Sequence, residues 1–406
     1  ATGLFKTLQS NAAEIKKRSN LEIEIIAIGA RRDNPKCDPG NIVVERDIFK
    51  IIDHDIDVIV ELIGGVDVAR ELILKALNAK KHVVTANKAV IFNHGNELFS
   101  VANKNGVKLL YESSVCAGTP IIKLLNQELA ASKISKISGM LNGTSNYILS
   151  NMEEGMDFEP TLKLAQEKGY AEPDPSFDIE GTDAAHKIGI LSSLAFGSSL
   201  PPKDFYIEGI NGIHKDDFKY ASEMGYTIKH LAIAKLMKNS IDLRAHPSLV
   251  KLDSYLANLK GVRNGIEVET DLLGTLHIAR GSGAGQEATA SGVISDLIYL
   301  SDSKIREVNN INESIELIDF INLDFQYYFY IEASDVSDAV ASISSIFENK
   351  DVSIESISQK ENLNDNLVPI IVITDLFKEK DYQEIVDNLL ELDSVNKIRS
   401  IRIEPQ

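Results

Sequence analysis

The sequence predicts an α/β protein: a doubly wound parallel sheet, then a mixed α/β segment, then a C-terminal βαββαβ unit. Three observations carry this. Over the first hundred residues, strand-like and helix-like patterns alternate, as they do where helices cover both faces of a parallel sheet. A turn-rich acidic loop, Gly169 to Lys187, interrupts the second α/β stretch. From Phe325 the pattern changes again, and so does the charge balance, with 16 acidic and 7 basic residues over Ile331–Gln406, a net −9.

Each element has a local reason. Leu4, Leu8 and Ile15 recur at helical spacing. Leu21–Ile28 reads as a strand, Asp57–Leu62 as the next, and Val66–Lys80 as a helix. His82–Thr85 is a strand, Asn93–Asn105 a helix, and Val107–Tyr111 a further strand. Strands near Ile134–Leu141, His230–Leu236 and Val268–Ala279 belong to a mixed segment at 132–280. Glu307–Asp324 reads as a linker with a packing helix. The last unit runs strand Tyr327–Glu332, helix Val336–Phe347, strands Val352–Gln359 and Leu367–Thr374, helix Tyr382–Leu392 and strand Val395–Ile403. That order is the split unit of a ferredoxin-like fold. The expected division is therefore a dinucleotide-binding domain at 1–131, rejoined at about 281–306, a substrate domain at 132–280, a linker at 307–324 and an appended domain at 325–406.

Composition narrows the partners. A chain of 406 residues has room for several cores. Its net charge of −18 argues against nucleic acid and anionic membranes. No apolar run approaches the roughly 20 residues of a membrane span. Cys37 and Cys116 are the only cysteines and form no CxxC, so neither a disulfide framework nor a thiolate zinc site is expected. With no signal segment visible, a cytoplasmic location is the default expectation.

The loop GYAEPDPSFDIEGTDAAHK gathers Glu172, Asp174, Asp178, Glu180, Asp183 and Lys187, broken by Pro173, Pro175 and Gly181. It leads into a helix beginning near Gly181, on which Asp183 and Lys187 stand four residues apart on one face. Ile188, Ile190, Leu191 and Leu194 are apolar enough to bury that helix. Earlier in the chain, the strand beginning at Leu21 ends Ile28-Gly29-Ala30-Arg31-Arg32, where the second strand of a Rossmann unit would end. In a Rossmann-type sheet an acid at that place holds the ribose diol of NAD, whereas guanidinium groups suit the 2′-phosphate of NADP. After the next strand, Ile63-Gly64-Gly65 lets backbone approach a nucleotide. A glycine turn, Arg280-Gly281-Ser282-Gly283-Ala284-Gly285, precedes a helix starting near Glu287 and is a weak phosphate signal.

The spacing of Ala165, Gly169, Glu172, Pro175, Asp178, Gly181, Asp183 and Lys187 resembles the signature of homoserine dehydrogenases. Further phrases agree: VVTANK ending in Lys88, the turn Glu112–Pro120, and Leu141-Asn142-Gly143-Thr144-Ser145-Asn146. The resemblance implies a Rossmann domain, a substrate domain and NADP(H) or NAD(H) as cofactor. It implies a cofactor site that includes Ile63, Lys88, Gly169, Glu172, Gly283 and Gly285, with Arg31 and Arg32 favouring NADPH. It implies that Glu172, Asp178 and Asp183 hold the ammonium of homoserine or aspartate semialdehyde, and that Gly143 and Thr144 hold the carboxylate. Lys187 would be the proton donor, with Lys88 beside it and Asp183 in support. A second cation and partial burial lower a lysine pKa, which suits that task. The turn would hold a monovalent cation, Na⁺, through backbone carbonyls of Glu112, Val115, Ala117 and Thr119.

In that family the GxGxxG/A fingerprint stands just before the segment matching Ala1–Leu4. Ala1 would then take its last small position, and the sequence reads as truncated or incomplete at that end. The last unit resembles an ACT domain. However, its first loop reads Asp335-Val336-Ser337-Asp338, without the family's proline and glycine. Amino-acid binding there is in doubt, which points to a role in a homodimer or homotetramer. Two other readings stay open: an amino-acid-responsive ACT-domain protein with a decayed core, and another NAD(P)-dependent amino-acid dehydrogenase.

Overall fold

The computed structural model describes every residue except 203, 283–284, 302–313, 335, 361–366 and 405–406. Gly283, Asp335 and the first part of the expected linker therefore lie outside the described residues. The rest divides into two compact units. The first comprises Ala1–Ile137, His186–Lys203 and Glu267–Ile315; the second comprises Ser138–Ala185, Asp204–Ile266 and Glu316–Gln406.

The strands, in chain order, are β1 (Ala27–Gly29), β2 (Val43–Glu45), β3 (Val58–Glu61), β4 (His82–Thr85), β5 (Leu109–Leu110), β6 (Ile134–Met140), β7 (Tyr206–Ile207), β8 (Tyr226–Leu236), β9 (Ser240–Lys251), β10 (Arg263–Thr270), β11 (Gly274–Ser282), β12 (Glu316–Leu317), β13 (Asp324–Ala333), β14 (Ile354–Gln359), β15 (Val368–Thr374), β16 (Phe377–Lys378) and β17 (Val395–Ile403). In the first unit, β3, β4 and β5 pair in parallel, and β1 and β2 form a separate parallel pair. The helices Asp67–Asn78 and Lys88–Asn105 supply the crossovers between the three. Helix Gln286–Leu300 returns to this unit, where Val293 and Leu297 pack on Val84 and Leu110.

Two sequence expectations need correction. Leu21–Ile28 is a strand only from Ala27, where β2 offers a pairing partner. A strand is defined by its neighbour's hydrogen bonds, and alternating burial over residues 21–26 does not supply one. Val268–Ala279 is not one strand but parts of two, β10 and β11, separated by a turn at 271–273. Thr270 closes that turn: its hydroxyl donates to the Gly274 carbonyl (3.0 Å) and accepts from the Leu273 N–H (3.0 Å).

The second unit is built on one sheet with strand order β10-β6-β8-β9-β17-β13-β15-β14. Its last four strands are mutually antiparallel, in the ferredoxin-like order. β17 also pairs in parallel with β9, Arg402 opposite Ser248 and Ile403 opposite Leu249. The C-terminal βαββαβ segment is thus continuous with the sheet before it. β13 is buried on both faces, which explains its near-unbroken apolar run. Tyr328 and Tyr330 face a core shared with Tyr147, Ile148 and Phe218, whereas Tyr327, Phe329 and Ile331 face a second core with Ile343, Phe347 and Ile385.

Candidate active site

Asn142 organises the acidic loop. It is the N-cap of helix Gly143–Glu153, its side-chain oxygen accepting the Ser145 N–H at 2.7 Å. Its amide nitrogen donates to both Asp178 and Asp183, each at 2.7 Å. One buried amide therefore sets the separation of two carboxylates and anchors a helix N-terminus beside them. The N–H groups of Gly143 and Thr144, in the first turn of that helix, have no hydrogen-bond partner among the described residues, as the start of a helix allows. The Thr144 hydroxyl is committed, donating to the Tyr170 carbonyl at 2.7 Å. A Cβ on Gly143 would lie 3.0 Å from the Val262 carbonyl oxygen, so the residue must be small.

Helix Thr182–Phe196 carries Asp183, which is buried, and Lys187, which is half-buried, one turn apart. Glu172 is exposed, and its backbone carbonyl accepts the Gln166 amide at 3.2 Å. Gly169 has a structural duty of its own. At φ +71° it ends helix Phe158–Glu167, its N–H bonding Gln166 while that of Tyr170 bonds Ala165.

In the first unit, the carboxyl ends of β3 and β4 are tied by Glu61, fully buried. Its carboxylate accepts the Thr85 hydroxyl (2.6 Å) and the Ile63 N–H (2.6 Å). Asn87 caps helix Lys88–Asn105 and reaches the Gly65 carbonyl at 2.7 Å. Lys88 is the first residue of that helix, three positions after β4 ends at Thr85. Gly64 and Gly65 have φ of +78° and +70°, with open space where a Cβ would stand, and Ile63 is 46% exposed. The arrangement leaves backbone free to approach a dinucleotide at the edge where such sheets bind ligands. Arg31 and Arg32 are exposed beyond β1, and Arg46 joins them by donating to the Ala30 carbonyl at 3.2 Å. Gly285 has φ +118° and caps helix Gln286–Leu300. Glu61, Asn142 as a bridge, and Arg46 are not picked out by the sequence. The first is one acid among many, and the last lies fourteen residues beyond Arg32.

The turn after β5 is buried from Glu112 to Ala117 and again at Thr119. Cys116 (φ +47°) and Gly118 (φ +77°) fold the backbone back on itself. The Thr119 hydroxyl is buried without a partner among the described residues, while its carbonyl accepts the Ile121 N–H at 2.7 Å. Burial pushes the Glu112 carboxyl up to about 7, and its oxygens accept the N–H groups of Ile122 (2.9 Å) and Lys123 (3.0 Å). An unused oxygen in a reversed, buried turn fits a hard monovalent cation. No cluster of three His, Cys, Asp or Glu side chains suited to a metal occurs among the described residues.

A parallel nucleotide-type sheet, together with an acidic loop that runs into a lysine-bearing helix, defines a nicotinamide-dependent oxidoreductase. Residues 1–112 match the family model "Homoserine dehydrogenase, NAD binding domain", and residues 120–298 match "Homoserine dehydrogenase". A homoserine dehydrogenase of Pseudomonas aeruginosa is 42% identical over 99% of this chain and 96% of its own length. The crystal structure of a homoserine dehydrogenase from Thiobacillus denitrificans superposes with a TM-score of 0.91 at 37% identity, covering 99% of this chain and 95% of that one. A hyperthermophilic archaeal homoserine dehydrogenase solved in complex with NADPH gives 0.62 at 27% identity, over 76% of this chain and 96% of that one. The chain belongs to the homoserine dehydrogenase family. Neither alternative reading is favoured by these likenesses. No helix among the described residues is long and apolar enough to cross a membrane.

Proposed function

We propose that the protein interconverts L-aspartate 4-semialdehyde and L-homoserine with NADPH as the preferred cofactor. The observation that carries this is the Asn142 amide held between Asp178 and Asp183, at the start of a helix whose first N–H groups lack partners among the described residues. When bound, the nicotinamide would supply or accept the hydride. Asp183 and Glu172, with Asp178 in support, hold the substrate ammonium. The N–H groups of Gly143 and Thr144 receive its carboxylate, aided by the helix dipole. The Thr144 hydroxyl proton is already spent on Tyr170, so the backbone carries that task. Lys187 gives a proton to the aldehyde oxygen as hydride reaches the carbon, and takes it back in the reverse direction. Lys88 provides the second positive charge beside the reacting groups. Ile63, Gly169, Glu172, Gly283 and Gly285 complete the cofactor site.

Arg31, Arg32 and Arg46 support the preference for NADPH, as does the cofactor of the archaeal relative. The reversed turn with its unused Thr119 hydroxyl supports Na⁺ binding by the carbonyls of Glu112, Val115, Ala117 and Thr119. The C-terminal segment acts as an ACT-like unit in assembling a homodimer or homotetramer in the cytoplasm.

The test is NADPH oxidation with aspartate semialdehyde by the purified protein and by Lys187→Met. The variant should lose about 10²–10⁴-fold in turnover while its cofactor affinity, read by fluorescence, stays unchanged. A variant that keeps roughly half its rate refutes the role of Lys187.

A further inference from the structure

We propose that His230 and Arg402 are positioning residues for the acidic substrate loop. Through Glu208 they hold the turn at Gly181 and so fix where Asp183 stands. The inference rests on the reading of Asp183 as a substrate-holding group.

The segment around Glu208 lies directly against that loop. The Ile210 N–H donates to the Ile179 carbonyl at 2.8 Å. A Cβ on Gly209 would lie 2.4 Å from that same carbonyl oxygen. Gly181, at φ +85°, is the last residue before helix Thr182–Phe196. A Cβ there would lie 2.9 Å from the His230 Nε2 and 3.1 Å from the Glu208 carbonyl oxygen. Two glycines thus bring the two segments to backbone contact, and any shift of residues 208–210 moves the turn that launches Asp183.

His230 is the post behind this contact. Its Nε2–H donates to the Glu208 carbonyl at 2.9 Å, which fixes the tautomer. Burial lowers its pKa, so the ring stays neutral. Its Nδ1 is buried with no partner among the described residues. An apolar side chain would fill the same space without that orphan acceptor, so what the imidazole contributes is the Nε2 donor.

Glu208 is held from the far side. Its carboxylate accepts Arg402 Nη1 and the Tyr206 hydroxyl, both at 2.7 Å. Arg402, on β17, also donates to Glu379 at 2.6 Å and to the Tyr206 oxygen at 2.9 Å. The guanidinium is buried and faces the rings of Tyr206, Phe320, Phe325, Tyr327 and Tyr382. A planar, permanently charged group boxed in this way has one geometry, and Glu208 inherits it. Through Arg402 the βαββαβ segment thereby reaches the segment that contacts the acidic loop.

The experiment compares kcat, both KM values and Tm across variants made in the full chain. These are His230→Leu, His230→Gln, Arg402→Met, His230→Leu combined with Arg402→Met, Tyr206→Phe and Asp183→Asn. Tyr206→Phe removes a single hydroxyl and serves should the bulkier changes fail to fold. His230→Leu and Arg402→Met should raise the homoserine KM by about 10-fold, and Tyr206→Phe by about 3-fold, with the cofactor KM unchanged. His230→Gln, which restores a donor near the Nε2 position, should recover most of the loss. Combining His230→Leu with Arg402→Met should cost little more than either alone, because both act through one segment. If Asp183→Asn leaves the homoserine KM unchanged, the site reading fails and the inference with it. If Asp183→Asn raises it but the His230 and Tyr206 variants do not, the positioning role alone is overturned. Equal rises in both KM values, accompanied by a lower Tm, also overturn it.

Discussion

Asn142 and Lys229 illustrate two different uses of a buried polar side chain. The Asn142 amide has three partners, and each belongs to the proposed substrate site: two carboxylates and a helix cap. Its identity was visible in the phrase Leu141–Asn146, but its role as a bridge was not, because Asp178 and Asp183 lie more than thirty positions away. Lys229, wholly buried on β8, donates to the Leu259 carbonyl at 2.8 Å. Burial, with the charge of Lys260, pulls its pKa down to about 8 from 10.5. Between those two values the folded chain binds fewer protons than the unfolded one, so this group makes stability rise with pH over that window. Lys229→Met removes the effect. The stability difference between wild type and variant should shift in favour of wild type as pH climbs from about 8 to about 10, read by denaturant titration. A difference that stays constant across that range would falsify the assignment.

At the scale of elements, the proposed function draws on the geometry of one helix start and one strand end. Helix Thr182–Phe196 starts from Gly181, whose φ of +85° an L side chain rarely adopts. Gly181→Ala should cost about 1–3 kcal/mol of stability and displace the first turn, raising the homoserine KM more than the cofactor KM. Wild-type Tm and kinetics for that variant would remove the constraint. At the end of β1 the three arginines face solvent, where a phosphate would find them. Changing Arg31 and Arg32 to alanine should raise the KM for NADPH by about 10-fold or more and leave that for NADH nearly unchanged. Equal effects on both cofactors would show that these guanidinium groups never meet the 2′-phosphate.

Over the whole molecule, the C-terminal segment is part of the second unit's sheet. β17 hydrogen-bonds to β9, and Tyr328, Tyr330, Ile401 and Ile403 complete a core with Tyr147, Ile148 and Phe218. Among the described residues, four ion pairs bind the same parts: Arg399 with Asp217, Arg402 with Glu208, Arg244 with Glu404, and Lys360 with Glu223. Deleting Phe325–Gln406 would expose that apolar face and leave buried Asp217 without Arg399, and both losses are severe, while the part-exposed Glu208 would lose Arg402. The truncated chain should aggregate on expression and show no cooperative unfolding of the second unit. A soluble 1–324 fragment with wild-type turnover would refute this and restore a purely appended role for the segment.

Local order was legible in the chain. β4 and β17 fall where the alternation put them, and helices Asp67–Asn78, Val336–Glu348 and Thr182–Phe196 start or end within a few residues of their periodic stretches. The acidic loop, the lysines and the split βαββαβ order could be read as well, because each is written in neighbouring positions. What the sequence could not decide is which distant segments meet. It did not show that Leu21–Ile26 finds no partner strand among the described residues, that β9 pairs with β17, or that His230 stands behind Gly181. Those outcomes depend on hydrogen bonds and packing between residues tens to hundreds of positions apart, and only the folded chain brings the groups within reach of one another.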